Sequence, residues 1–221
     1  MKHFTKSNIK NLEKVKRLNI INSITGIKPG NLIGTISKKK ITNLAIFSSV
    51  IHLGSNPALL GFILRPPERV RRDTYNNILE NGSYSINHLP ENLTINGHYT
   101  SAKFNEDQSE FDYCKFTEWY VDDFEAPFVK ESNLNIGLKF QESVPVKANN
   151  TIMIIGSVEH IFVKEDAISK EGYIDLEVLK TSGIAGLNSY YQLRKIATYP
   201  YARVEELPNF KNEGVYAKLT N

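Results

Sequence analysis

Between Leu18 and Leu64, four short runs rich in β-branched and leucine residues follow one another with only turn signals between them. These are LNIINSITGI, NLIGTIS, ITNLAIFSSVIHL and ALLGFIL, separated by Lys-Pro-Gly, Lys-Lys-Lys and Gly-Ser-Asn-Pro. Such runs read as strands of a meander. After Pro127 the pattern resumes with NLNIGLKFQESVPV, TIMIIGSVEHIFV and YIDLEVL. In the second of these, Gly156, Val158, His160 and Phe162 fall on one face and Ile155, Ser157, Glu159 and Ile161 on the other. Helices do not alternate regularly with the strands, which disfavours a doubly wound parallel sheet. The expected fold is mainly β, a closed antiparallel barrel with a few peripheral helices.

The helical signals are brief. Ile9, Leu12 and Val15 recur at three-residue steps, predicting an N-terminal amphipathic helix over about 5–17. Arg72-Asp73-Thr74 supplies a helix start, Tyr75, Ile78 and Leu79 an apolar stripe, and Asn81-Gly82 a stop. The stretch from Pro90 to Phe104 reads as helix with loops, SGIAGLNSYYQL as a loop, and the acidic, aromatic stretch 105–126 as an irregular lid or binding loop. At 221 residues one domain spanning 1–221 is the expectation, with an extended tail over about 195–221.

Apolar residues make up 41% and charged residues 23% of the chain, and the formal net charge is +3. That balance argues against disorder and does not predict nucleic-acid binding. The N-terminus is broken by charges every few residues, so neither a signal-peptide core nor a membrane span is read there, and a cytoplasmic location is expected. One cysteine, Cys114, cannot form an internal disulfide, which fits a reducing compartment. His52, His88 and His98 lie in no metal-ligand pattern, and no metal is expected.

The chemistry-bearing segment is Asn43 to His88. It combines a hydroxyl-rich turn at Ser48-Ser49, the guanidinium of Arg65 and a helix start at Thr74. Hydroxyls, amides at a helix N-terminus and guanidinium forks are the groups that hold phosphate, so a phosphorylated cofactor suits this segment.

Taken with HYTSAKFNEDQSEFD and IIGSVEHIFV followed by SGIAGLNSYY, the stretches TNLAIFSSVIHLGSNPALLGFILRP and RRDTYNNILENGSYSINHL resemble the flavin reductase-like, or flavoredoxin-like, family. The resemblance covers roughly residues 18 to 193, in the family's order. It implies a Greek-key antiparallel split barrel that binds FMN, a homodimer whose subunits help complete the flavin site, and hydride transfer from NADH or NADPH. Phe47, Ser48 and Ser49 match the family's turn facing the flavin phosphate and ring edge, while Arg65 and Thr74 match positions that approach the phosphate. Asn43 is placed to hydrogen-bond the ribityl chain or flavin carbonyls. Ser101 and Lys103 resemble a second contact loop, and Tyr190 or Tyr191 an aromatic near the C-terminal end of the site. His98, beside Thr100-Ser101, is a candidate for the substrate cleft.

The resemblance implies an NAD(P)H-dependent flavin oxidoreductase delivering electrons to a protein or to diffusing flavin. No side chain is assigned as a general base, since the hydride chemistry belongs to the cofactor. One alternative keeps the flavin in an electron-transfer protein that reacts poorly with NAD(P)H. Another is a non-enzymatic β-barrel module binding single-stranded nucleic acid or protein through Phe111, Tyr113, Phe116, Trp119 and Tyr120. Carboxylates interleaved with those aromatics oppose a phosphate backbone.

Overall fold

One long antiparallel ladder, its central strands buried on both faces, forms the body of this protein, described here from a computed structural model covering residues 1–66 and 70–208. Its strands are β2 (Asn31–Ile36), β3 (Thr42–Phe47), β4 (Ile51–Ser55), β5 (Ala58–Leu64), β6 (Ser83–His88), β9 (Leu134–Val146) and β10 (Thr151–Val163). They pair in the order β3-β2-β6-β9-β10-β5-β4, so neighbours in space are joined by crossovers as well as hairpins. The expected mainly β, antiparallel architecture is thus observed. Two smaller sheets complete it: β1 (Lys28–Pro29) with β11 (Ser182–Ala185) and β12 (Ser189–Gln192), and the hairpin β7 (Glu118–Val121)–β8 (Phe124–Val129).

The inward faces make a core of Ile33, Phe62, Leu64, Ile78, Tyr84, Ile86, Leu138 and Ile154. Tyr84 is fully buried, and an added Cβ on Gly156 of β10 would collide with its hydroxyl, so only glycine fits there. A second core on the other side of β2 and β3 joins Leu32, Leu44 and Leu89 to Phe111, Cys114, Phe116 and Val129. The segment 105–126 is therefore not an irregular lid. It forms α5 (Glu110–Tyr113) and β7–β8, because Phe111 and Phe116 point into that core. The buried carboxylate of Glu110 accepts the Leu44 N–H of edge strand β3 at 2.9 Å, and burial raises its pKa.

Three other readings change. Leu18–Ser23 is helical rather than a strand: the predicted N-terminal helix is two, α1 (Lys6–Asn11) and α2 (Lys14–Ser23). Thr5 and Asn8 close a capping box on α1, and the Glu13 side chain accepts from Val15 N and Lys16 N, so local caps override the β-branched propensity of the Ile pair. SGIAGLNSYYQL is the hairpin β11–β12, its β11 held by β1. YIDLEVL is mostly turn, its Asp175 carboxylate accepting from the backbone of Glu177 and Val178.

A buried polar lattice ties the sheet to β8. Asn87 donates to Leu32 O and Ser85 Oγ, while its Oδ1 accepts from Val129 N and Asn135 Nδ2. In the adjoining register position His88 lies opposite Asn31, and burial of its ring lowers its pKa to about 4. Between pH 6.5 and 4 the unfolded chain takes up a proton on this histidine that the folded chain refuses. Stability is therefore expected to fall by about 3 kcal/mol on acidification through that window. Urea midpoints across that window should show the loss in the native chain and a flatter profile in His88→Gln.

Candidate functional site

Helix α3 (Asp73–Asn81) begins beside β2 and β3 and stops at Gly82, whose φ of 71° closes the C-terminus. Its buried face carries Thr74, Asn77 and Ile78, whereas Leu79 of the expected stripe points outward. Asn43 Nδ2 donates to Thr74 Oγ1 (3.1 Å) and Thr35 Oγ1 (3.2 Å), and Asn77 Nδ2 donates to the same Thr35 hydroxyl (3.1 Å). This network fixes the start of α3 against the barrel. Because Thr74 Oγ1 already accepts from Asn43, its own hydrogen is directed away and can be donated.

The helix start read over Arg72-Asp73-Thr74 is observed, but without a capping side chain from its first residue. The N-cap is Arg72, whose side chain makes no cap hydrogen bond. Two successive arginines thus stand at the positive end of a helix dipole, where cations are disfavoured. Arg71 is neutralised by Asp73, with Nε 2.8 Å from Oδ1, and reaches Glu106 at 3.8 Å. Arg72 has no ion pair among the described residues, and its Nε is buried without a hydrogen-bond partner. Burial and the nearby charge of Arg65 both lower its pKa. Two guanidinium groups that repel one another beside a helix start without a side-chain cap make a site complementary to an anion.

Phe47 ends β3 and packs edge-on to Phe62, with ring centroids 4.9 Å apart. Ser49 Oγ donates to Ile63 O and accepts from Ile63 N, both at 3.1 Å, so its hydroxyl pins the turn to β5. Ser48 is half-buried. Arg65 follows β5 directly, two residues beyond the Ser49 pin, and is exposed.

A second group forms where α4 (Thr94–Tyr99) meets β12. His98 Nδ1 and Tyr190 Oη lie 3.0 Å apart, and burial raises the phenol's pKa. Tyr190 packs on the second core together with Ile46 of β3. Ser101 Oγ donates to His98 O at 2.7 Å and closes the end of α4, while Lys103 is exposed. A cleft of about 260 Å³ borders Asn43, Arg71, Asp73 and Asn77. A larger one, about 450 Å³, lies between 166–178 and 193–198 and is lined by none of the candidate site residues read from the sequence.

Residues 27–179 match the profile described as flavin reductase like domain. The chain belongs to the flavin reductase-like family. A split-barrel-domain protein of Shewanella frigidimarina NCIMB 400, itself a candidate flavin reductase, is 44% identical with a TM-score of 0.87, over 91% of this chain and all of that one. The flavoredoxin of Desulfovibrio vulgaris (20% identity, TM-score 0.69, 80% of this chain and 92% of that one) shares the fold. So does an FMN-binding protein of Thermus thermophilus (13%, TM-score 0.64, 79% and 90%). The split barrel expected of this flavin reductase-like chain is the architecture observed.

Sequence reasoning missed Arg72, Thr35 and Asn77 in this family member. The signal for Arg72 was present: a cation immediately before a helix start is electrostatically misplaced unless an anion joins it. Thr35 and Asn77 gave no such signal, since their roles depend on β2 and α3 meeting in space.

Proposed function

We propose that this chain is an FMN-binding, NAD(P)H-dependent flavin oxidoreductase, acting as a single-domain subunit of a homodimer. The observation that carries the reading is Arg72: a half-buried guanidinium whose Nε has no hydrogen-bond partner among the described residues, near the charge of Arg65, at a helix start that the N-cap side chain leaves uncapped. A terminal phosphate satisfies all of these groups together. Arg65 and Arg72 supply charge, the first amides of α3 and the Thr74 hydroxyl supply donors, and Asn43 orients that hydroxyl. The turn at Phe47-Ser48-Ser49 offers backbone groups to the ring edge, with Ser49 holding the turn in place. His98 and Tyr190 are the pair proposed to border the nicotinamide side of the site, the histidine fixing the phenol at 3.0 Å. Ser101 and Lys103 lie on the loop that follows, where the lysine extends the cationic rim.

FMN, held by these residues, would supply the capacity to take hydride from a nicotinamide and pass the electrons on. The protein's part is to hold the phosphate, orient the ring and leave one face open, so that two rings meet in register. None of the proposed contacts requires a protein proton donor.

Anaerobic absorption spectra of the purified protein with FMN test the reading. A shifted flavin spectrum that bleaches within seconds on adding NADH or NADPH is expected. A shifted spectrum that neither nucleotide bleaches would replace the reductase with an electron carrier, and an unshifted spectrum would remove FMN.

A further inference from the structure

Helices α1 and α2 carry no buried residue. Val15, Leu18, Ile21 and Ile24 are 60%, 39%, 42% and 71% exposed, and none belongs to an apolar core cluster. A ten-residue helix is marginal in water by itself. Yet both helices are specifically capped, and Arg17 bridges them by donating to Lys10 O and Leu12 O. The end of α2 is tied to the body, where Lys28 Nζ donates to Asn22 O at 2.7 Å and to Gly186 O. An encoded helical arm is thus held out with its apolar side chains uncovered.

Charge indicates what covers it. Residues 1–17 contain six Lys and Arg against one acid, whereas residues 106–125 contain eight carboxylates against one lysine. Asp107, Asp112, Asp122 and Asp123 are exposed and make no ion pair among the described residues. Beside them Tyr113 and Tyr120 are 57% and 46% exposed. Of the eight carboxylates, Glu110 is buried, Glu106 and Glu125 pair with Lys39, Arg71 and Lys40, and Glu118 bonds Thr42 and Tyr120, so the arm's cations face the four aspartates. A second copy presents both complements at once, and the reciprocal contact closes by two-fold symmetry. An anionic lipid or nucleic acid would attract the arm and leave the acidic, tyrosine-bearing surface without a role.

We propose that α1–α2 is an arm that clasps a second copy of this chain, seating its cations and apolar side chains on the partner's 106–125 surface. The inference rests on the homodimer reading above and names the surfaces that meet; it does not depend on flavin binding.

The test mixes isotopically light and heavy full-length chains and joins touching ammonium and carboxylate groups with a zero-length carbodiimide. Peptides linking Lys14 or Lys16 to Asp112, Asp122 or Asp123 are expected between light and heavy chains. The triple variant Lys10→Glu, Lys14→Glu, Lys16→Glu, exposed throughout, should lower the yield of linkage between arm and 106–125 at least tenfold. Adding Asp112→Lys, Asp122→Lys and Asp123→Lys to the same chain should restore it. Links confined to single chains, absent links to 106–125, or links that survive the triple reversal would overturn the proposal. So would sedimentation of the arm with phosphatidylserine vesicles while interchain links are absent. FMN spectra of the same samples report on the flavin reading separately.

Discussion

Asn87→Ala is expected to destabilise the fold by about 3–5 kcal/mol, among the largest effects of any single substitution. Asn87 is wholly buried and satisfies four groups at once: Leu32 O, Ser85 Oγ, Val129 N and Asn135 Nδ2. Truncation leaves the Val129 N–H without its acceptor in a site closed to water, and leaves the Ser85 hydroxyl's bond to Pro127 O to tie β8 to β6. Asn135 retains only its bond to Val129 O. The urea midpoint should drop accordingly with little change in the slope of the transition. Asn87→Asp is informative as well, since it keeps the acceptor but loses both donors and adds a buried charge. A midpoint shift below 1 kcal/mol for Asn87→Ala would show that water or a shifted β8 replaces these bonds.

Arg72→Ala is expected to weaken FMN about 10- to 100-fold, the cost of one or two charge-assisted hydrogen bonds. Riboflavin, which has the same ring and ribityl chain without the phosphate, should change by no more than about twofold. The contrast between the two ligands separates loss of a phosphate contact from general damage to the site. Removing the guanidinium also relieves its repulsion with Arg65, so the unliganded Arg72→Ala protein should be no less stable than the native chain. Equal weakening of both flavins, measured by fluorescence titration, would place Arg72 outside the phosphate site.

Much of the sheet was legible because its strands announce themselves locally. NLIGTIS and ALLGFIL are apolar runs bounded by turn residues, and they became β2 and β5 within a residue or two. The failures share a cause. Leu18–Ser23 is rich in isoleucine and asparagine, but a cap at Glu13 decided in favour of helix. The hairpin β11–β12 has a glycine-rich sequence that looks unstructured until β1 supplies its partner strand. Segment 105–126 reads as an exposed, charged loop because its inward-facing Phe111, Cys114, Phe116, Phe124 and Ala126 are interleaved with exposed charged residues. In the candidate site, single residues were legible and their connections were not. Asn43 was read as a ligand to the flavin, whereas its amide spends both donors on Thr35 and Thr74.

Cys114 lies within the second core, next to Glu110, and burial with that neighbouring carboxylate raises its thiol pKa to about 11. At neutral pH its thiolate is scarce and the sulfur is shielded from reagents. It is also the chain's one cysteine. Labelling by a thiol reagent therefore times a single event, the parting of α5 from β3, and makes the native sequence its own reporter of how often that edge of the barrel comes open.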